Sequence, residues 1–186
     1  MKYLYISLLG FILSSGCAQL STEEQKSART EIDLMAENTV KALSKDNATI
    51  PSEIKNAAGY AVINWKVTKI PVVGAGGGNG VIVDTHTGER KYFKVRRFDF
   101  GGGWGVKSFK NLLIVNDKAM FQKAMKGGDF TFEAGAEVAA GTKGIDGGSA
   151  QLVQTKTKSY MLLDGGASAT VTARFLYYTM DNSLNN

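Results

Sequence analysis

The chain has 186 residues, with 22 lysines and arginines against 17 aspartates and glutamates, for a formal charge of +5. That length suits one domain with a sizeable core, and the absence of a long internal period excludes a solenoid. Twenty-two glycines beside only two prolines point to strands and tight turns, and the pI of 9.2 suits anionic lipid head groups, envelope polyanions or nucleic acid.

The first residues divide as a secretory signal does. Lys2 gives a positive start, Tyr3 to Leu13 an apolar run, and Ser14, Ser15 and Gly16 the small side chains that precede cleavage. The apolar run is about half the roughly 20 residues a membrane-spanning helix needs, so it reads as a removable signal. Cys17, the single cysteine, follows at once and takes the place of a bacterial lipoprotein acceptor. The other reading is an ordinary signal followed by a leftover thiol in an oxidising compartment. Export argues against a nucleic-acid partner. Ala18 is not the aspartate that retains lipoproteins in the inner membrane, so the outer membrane, facing the periplasm, is the expected location. Residues 1–16 are thus a signal, 17–21 a lipid-anchored tether and 22–186 one domain.

Thr22-Glu23-Glu24-Gln25 has the form of a capping box, and Ala28, Ile32, Met35, Ala36, Thr39, Ala42 and Leu43 recur behind it at helical spacing. This predicts an amphipathic helix of about 22 residues, or roughly 33 Å. A short helix is predicted from Pro51 to Gly59. From Tyr60 the period becomes two: Ala61, Ile63 and Trp65 alternate with Tyr60, Val62 and Asn64. Val81 to Val83 leads into a turn at Asp84 to Glu89, and Lys91 to Phe100 reads as the strand beyond it. There Phe93 and Val95 share one face while Phe98 and Phe100 share the other, which predicts a bulge at Arg96-Arg97. Leu112 to Val115 is a further strand, and Asn116 or Asp117 caps a helix carrying Met120, Phe121, Ala124 and Met125, closed by Gly127-Gly128. Phe130 to Ala140, Ala150 to Thr155, Ser159 to Leu163 and Ser168 to Tyr178 read as separate strands. The expected class is α+β, a curved or barrel-like antiparallel sheet with an N-terminal helical segment and one further short helix.

Ala58-Gly59-Tyr60-Ala61-Val62-Ile63, Lys69, the glycine cluster Gly74 to Gly80, the turn Gly101 to Gly105, and Leu112 to Val115 ahead of the Phe121 helix together resemble the SYLF domain. The similarity runs from about Glu37 to the C-terminal end. Asn64-Trp65 stands where that family usually has Phe-Pro. The resemblance implies a phospholipid-binding module, since eukaryotic members bind phosphoinositides and bacterial members are commonly exported lipoproteins described as lipid-binding.

The glycine cluster is not a nucleotide loop. Asn79 occupies the sixth place after Gly74, Val81 rather than lysine follows Gly80, and a strand rather than a helix comes next. It reads either as a bent strand connection where backbones approach closely or as a loop for a lipid head group. The basic residues form the second candidate: Lys66 and Lys69, Lys91, Lys94, Arg96 and Arg97, and Lys107 and Lys110 just beyond Trp104, with Tyr92, Phe93, Trp104 and Phe109 interleaved. These could meet lipid phosphates, or could be a solvated sheet face, since alternate residues on a strand point to opposite sides.

Catalysis has little support. His86, the sole histidine, falls in a turn; Glu133 and Glu137 are about 13 Å apart by strand rise, too far to share one bond. Asp84, Asp99, Asp146 and Asp164 read as turn formers. No metal, cofactor or nucleotide is expected. The sequence therefore predicts a non-catalytic envelope lipoprotein that binds membrane phospholipids, anionic ones by its charge, with acyl chains entering between sheet and helix. The alternative is a scaffold lipoprotein that contacts another envelope component and meets lipid only through Cys17.

Overall fold

The computed structural model describes residues 20–127, 136–139 and 157–186, with backbone alone for 136–139 and 165–175. The predicted signal, Cys17 and the predicted strand Ala150 to Thr155 lie outside the described residues.

Helix α1 spans Thr22–Asp46. Its N-cap is Ser21, one residue before the box read from the sequence. The Ser21 hydroxyl accepts the Glu24 N–H at 3.3 Å while the Glu24 carboxylate accepts the Ser21 N–H at 2.8 Å. A carboxylate accepts more strongly than the Gln25 amide and suits the positive helix end, which favours this frame. Ile32, Ala36, Thr39 and Leu43, spaced four, three and four apart, are buried against the sheet. Helix α2 covers Ile50–Asn56 with Pro51 in its first turn, and it ends before Gly59, which opens the first strand.

Strands β1 (Gly59–Lys69) and β2 (Val73–Asp84) form a hairpin. Strand β3 (Arg90–Phe100) pairs with the free edge of β2, and β4 (Gly103–Val115) with the free edge of β1. The ribbon from Arg90 to Val115 therefore bends around the hairpin through Gly101 and Gly102. The Gly101 N–H donates to the Val72 carbonyl at 2.9 Å and ties the two turns together. Helix α3 (Lys118–Met125) follows, capped by Asp117, whose carboxylate accepts the Met120 N–H at 2.9 Å. Strand β6 (Thr157–Met180) then lines the outside of the bent ribbon, pairing first with β4 and then with β3. The separate strands predicted at Ser159 to Leu163 and Ser168 to Tyr178 are one. Strand β5 (Ala136–Ala139), the described part of the strand predicted at Phe130 to Ala140, takes the other edge of β6 at Thr170 to Ala173. A last turn of helix, α4 (Asn182–Asn185), ends the chain. The order is β3-β2-β1-β4-β6-β5, all antiparallel. The class is α+β, as expected; the sheet is curved but not closed, because β4 and β3 follow each other along the same edge of β6.

Both faces of the sheet are packed at the end near Gly59, Asp84, Arg90 and Val115. On the concave face Ala61, Ile63, Trp65, Phe93, Val95, Phe109 and Tyr178 meet Phe121 and Ala124 of α3. Trp65 stacks on Phe109 with ring centroids 6.0 Å apart. On the convex face Val62, Val81, Tyr92, Leu112 and Ile114 lie beneath α1 and α2. Each large side chain so buried contributes roughly 1.5–3 kcal/mol.

Three expectations need correction. The glycine cluster is not a strand connection but the body of β2, where β1 comes so close that a Cβ on Gly78 would lie 1.7 Å from the Asn64 carbonyl oxygen. No bulge interrupts β3, whose pairing with β2 runs unbroken from Arg90 to Phe100. The apolar residues change sides because Arg97 and Asp99 take the concave face as a buried ion pair at 2.7 Å, leaving Phe98 and Phe100 outside. The register shift falls instead at Ser108/Phe109, opposite β6. Asp99 and Asp164 are strand residues, Asp164 being paired with Lys110. Asp84 is the turn former it was read to be, accepting the N–H groups of His86 and Thr87 at 2.8 and 2.9 Å.

Candidate functional site

The convex face can be followed in rows across β3, β2, β1 and β4, using the register of the ladders. The row Tyr92, Val81, Val62 and Leu112 is buried under α1. Next come Lys94, Asn79, Asn64 and Lys110, then Arg96, Gly77, Lys66 and Ser108. Beyond these lie Phe98, Ala75, Thr68 and Val106, and at the turns Phe100, Val73, Ile70 and Trp104. Successive rows pass from covered apolar side chains, through amides and cations, to exposed apolar side chains.

The eight predicted lipid-contacting residues separate accordingly. Lys66, Lys94, Arg96 and Trp104 are exposed on the convex face, with Trp104 73% exposed. Lys69, Arg97 and Lys107 are buried on the concave face. Arg97 holds Asp99, and the Lys107 ammonium lies 5.1 Å from the centre of the Phe109 ring. Lys91 sits at the helix-covered end and pairs with Glu89 at 3.3 Å. Lys94 reaches Asp181 at 2.9 Å. Among the described residues Lys66 and Arg96 have no carboxylate partner. They flank Gly77 in one row, so about 10 Å of sheet separates their Cα atoms with no side chain between them.

Of the interleaved aromatics, Tyr92, Phe93 and Phe109 are buried. Tyr92 belongs to the helix contact: its hydroxyl donates to Asp33 of α1 at 3.1 Å, and burial together with that carboxylate pushes the phenol up to about 12. His86 is exposed in the turn after β2.

No known family profile matches the chain, and no solved structure does. The curated proteins contain a relative. Beta cell expansion factor A of Aeromonas veronii is 29% identical over 156 residues, which is 81% of this chain. The chain spans 59% of that protein's length.

Seven apolar residues of this surface are absent from the sequence-predicted site: Ile70, Val72, Val73, Phe98, Phe100, Val106 and Tyr177, all between 41% and 68% exposed. The signal that could have found them is the change of apolar phase at Arg96-Arg97, which a bulge explained equally well. Ile70, Val73, Phe98 and Phe100 line an open groove of about 360 Å³ with Ala75 and Thr68. Between the sheet and α3 the enclosed space is only about 10 Å³, room for about one water and not for an acyl chain. Among the described residues no helix is long and apolar enough to cross a membrane, and no group of three His, Cys, Asp or Glu side chains comes together to hold a metal.

Proposed function

We propose that this protein is a lipid-anchored envelope protein whose domain binds anionic phospholipid at a membrane surface and performs no chemistry. Cys17 carries the anchor, and Lys66 and Arg96 engage lipid phosphates, with Lys94 and Trp104 beside them. The observation that carries the reading is the Arg96, Gly77, Lys66 row: two exposed cations without carboxylate partners among the described residues, with only a glycine between them in the row, next to exposed aromatic side chains. Cations at an anionic surface contribute about 1 kcal/mol each, and aromatic rings prefer the head-group level. The resemblance to the SYLF domain supports the same ligand class, and the outer membrane facing the periplasm is the location in which such a lipoprotein would work.

The test separates the domain from its anchor. The mature chain from residue 17 onward, with Cys17→Ser and without the apolar signal, should co-sediment with phosphatidylglycerol-containing vesicles, and rising salt should weaken the binding. Replacing Lys66 and Arg96 together by glutamine should lower affinity about 30-fold, the equivalent of two such contacts. Absence of sedimentation at low salt would instead favour a scaffold that meets lipid only through Cys17.

A further inference from the structure

We infer that the end of the sheet formed by the Ile70-Pro71-Val72 turn and the adjoining Phe98 to Trp104 segment inserts into the acyl region of one bilayer leaflet. This rests on the phospholipid reading above and specifies how deep the domain sits.

Polarity at this end is reversed. In a water-facing sheet the apolar side chains go inside and the charges outside. Here Lys69, Arg97, Asp99 and Lys107 are the buried set, while Ile70, Val72, Phe100 and Trp104 are each more than half exposed. Apolar outside with polar inside is the arrangement of strands that face lipid.

The backbone is prepared for the same medium. A lipid-facing strand must have its amide groups paired, because hydrocarbon offers no hydrogen bonds. Strands β1 to β4 each have neighbours on both edges. At the turns the Ile70 N–H donates to the Val73 carbonyl at 3.0 Å and the Gly101 N–H to the Val72 carbonyl at 2.9 Å. The buried charges are shielded on the concave face, where Arg97 holds Asp99 through both carboxylate oxygens at 2.7 and 3.0 Å.

The dimensions fit one leaflet. From Lys66 to Ile70, and from Arg96 to Phe100, four residues of strand rise give about 13 Å. Head-group regions occupy roughly 6 Å on each side of a hydrocarbon core of roughly 30 Å. With Lys66 and Arg96 at the phosphates, the turns reach roughly 7 Å into hydrocarbon, well short of the midplane. This charge row just above the apolar end selects an anionic bilayer as the occupant, since a soluble apolar partner would leave both cations unanswered.

Trp104 is a built-in depth reporter, because the other tryptophan, Trp65, is buried in the core. The mature chain from residue 17 onward, with Cys17→Ser and without the apolar signal, is mixed with phosphatidylglycerol vesicles whose acyl chains carry bromine at carbons 6 and 7. The expected result is quenching of tryptophan emission that disappears with Trp104→Phe. The pair Ile70→Ser and Val72→Ser should lower vesicle affinity about tenfold or more without altering its dependence on salt, since it removes apolar contact alone. Both changes are on exposed side chains, and an unchanged unfolding midpoint verifies that the domain is intact. Sedimentation without Trp104-dependent quenching overturns insertion and leaves the phospholipid reading standing. Failure to sediment with any anionic vesicle overturns the phospholipid reading first and insertion with it. Self-association of the chain in solution that Trp104→Ser abolishes assigns this face to a second copy and overturns insertion.

Discussion

The two ends of the same four strands have opposite characters. Near Gly59 and Val115 the sheet is apolar on both faces, and helices cover it on both sides. Near Ile70 and Phe100 the charges go inward and the apolar side chains outward, with no described element over them. Leu112 and Val106 make the contrast within one strand and on one face: the first is fully buried and the second 60% exposed. Burial here follows what covers each row and not the hydropathy of the residue. The covered end supplies stability, and the uncovered end supplies a surface.

The largest effect should come from the inner side of the uncovered end. Asp99→Ala takes the Asp99 carboxylate from the buried Arg97 guanidinium and should cost about 3–5 kcal/mol in urea unfolding. Replacing both, as Arg97→Met with Asp99→Leu, should recover most of that loss. If Asp99→Ala instead costs under about 1 kcal/mol, the inward charges are not structural and the contrast between the ends weakens.

The outer face sharpens the same contrast. Leu112→Ala should cost about 2–5 kcal/mol, whereas Val106→Ala should stay within about 0.5 kcal/mol. Equal losses at the two positions would mean that something covers Val106 after all. For vesicle binding the cations should divide by position: Lys66→Gln and Arg96→Gln each cost about 1 kcal/mol, while Lys91→Gln, held by Glu89 at the covered end, changes nothing measurable.

The smallest effect concerns acid. The Thr87 and His86 backbone N–H groups hold the Asp84 carboxyl below its ordinary value, with Thr87 the larger cause. Its stabilising contribution is therefore complete above the unfolded value near 4 and is lost as pH falls through the lower folded value. Unfolding midpoints measured between pH 5 and 2 should fall, and Asp84→Asn, which keeps the acceptor oxygen but cannot titrate, should fall less steeply.

Local patterns were legible where one rule governs. Helix α1 followed from its apolar spacing, a cap at Asn116 or Asp117 from their position before Met120, with the structure placing it at Asp117, and the Asp84 turn from side-chain geometry. The Arg96-Arg97 phase change was visible but misassigned, because a bulge and a reversal of polarity produce the same string of residues. Only the ladder to β2 distinguishes them, since it keeps the pleat in register through Phe100. The glycine cluster was ambiguous for a related reason. Its need for glycine comes from the Asn64 carbonyl, which another strand brings to Gly78.

The candidate site divides in the same way. Eight residues were selected by charge and aromaticity, and alternation along a strand already required some of them to face away from any one partner. Which side faced outward depended on the placement of α1, which covers the convex face at one end and stops short of the other.

By itself the sequence determined the α+β class, the position of the main helix, and the basic and glycine-rich character. These depend on spacing and composition, which are local. Tertiary structure alone decided that Arg96 and Lys66 share a row across Gly77, that Lys69, Arg97 and Lys107 turn inward, and that Ile70, Val72, Phe100 and Trp104 are exposed. Those outcomes depend on register between strands distant in sequence and on what each face packs against, and neither is written in any single segment.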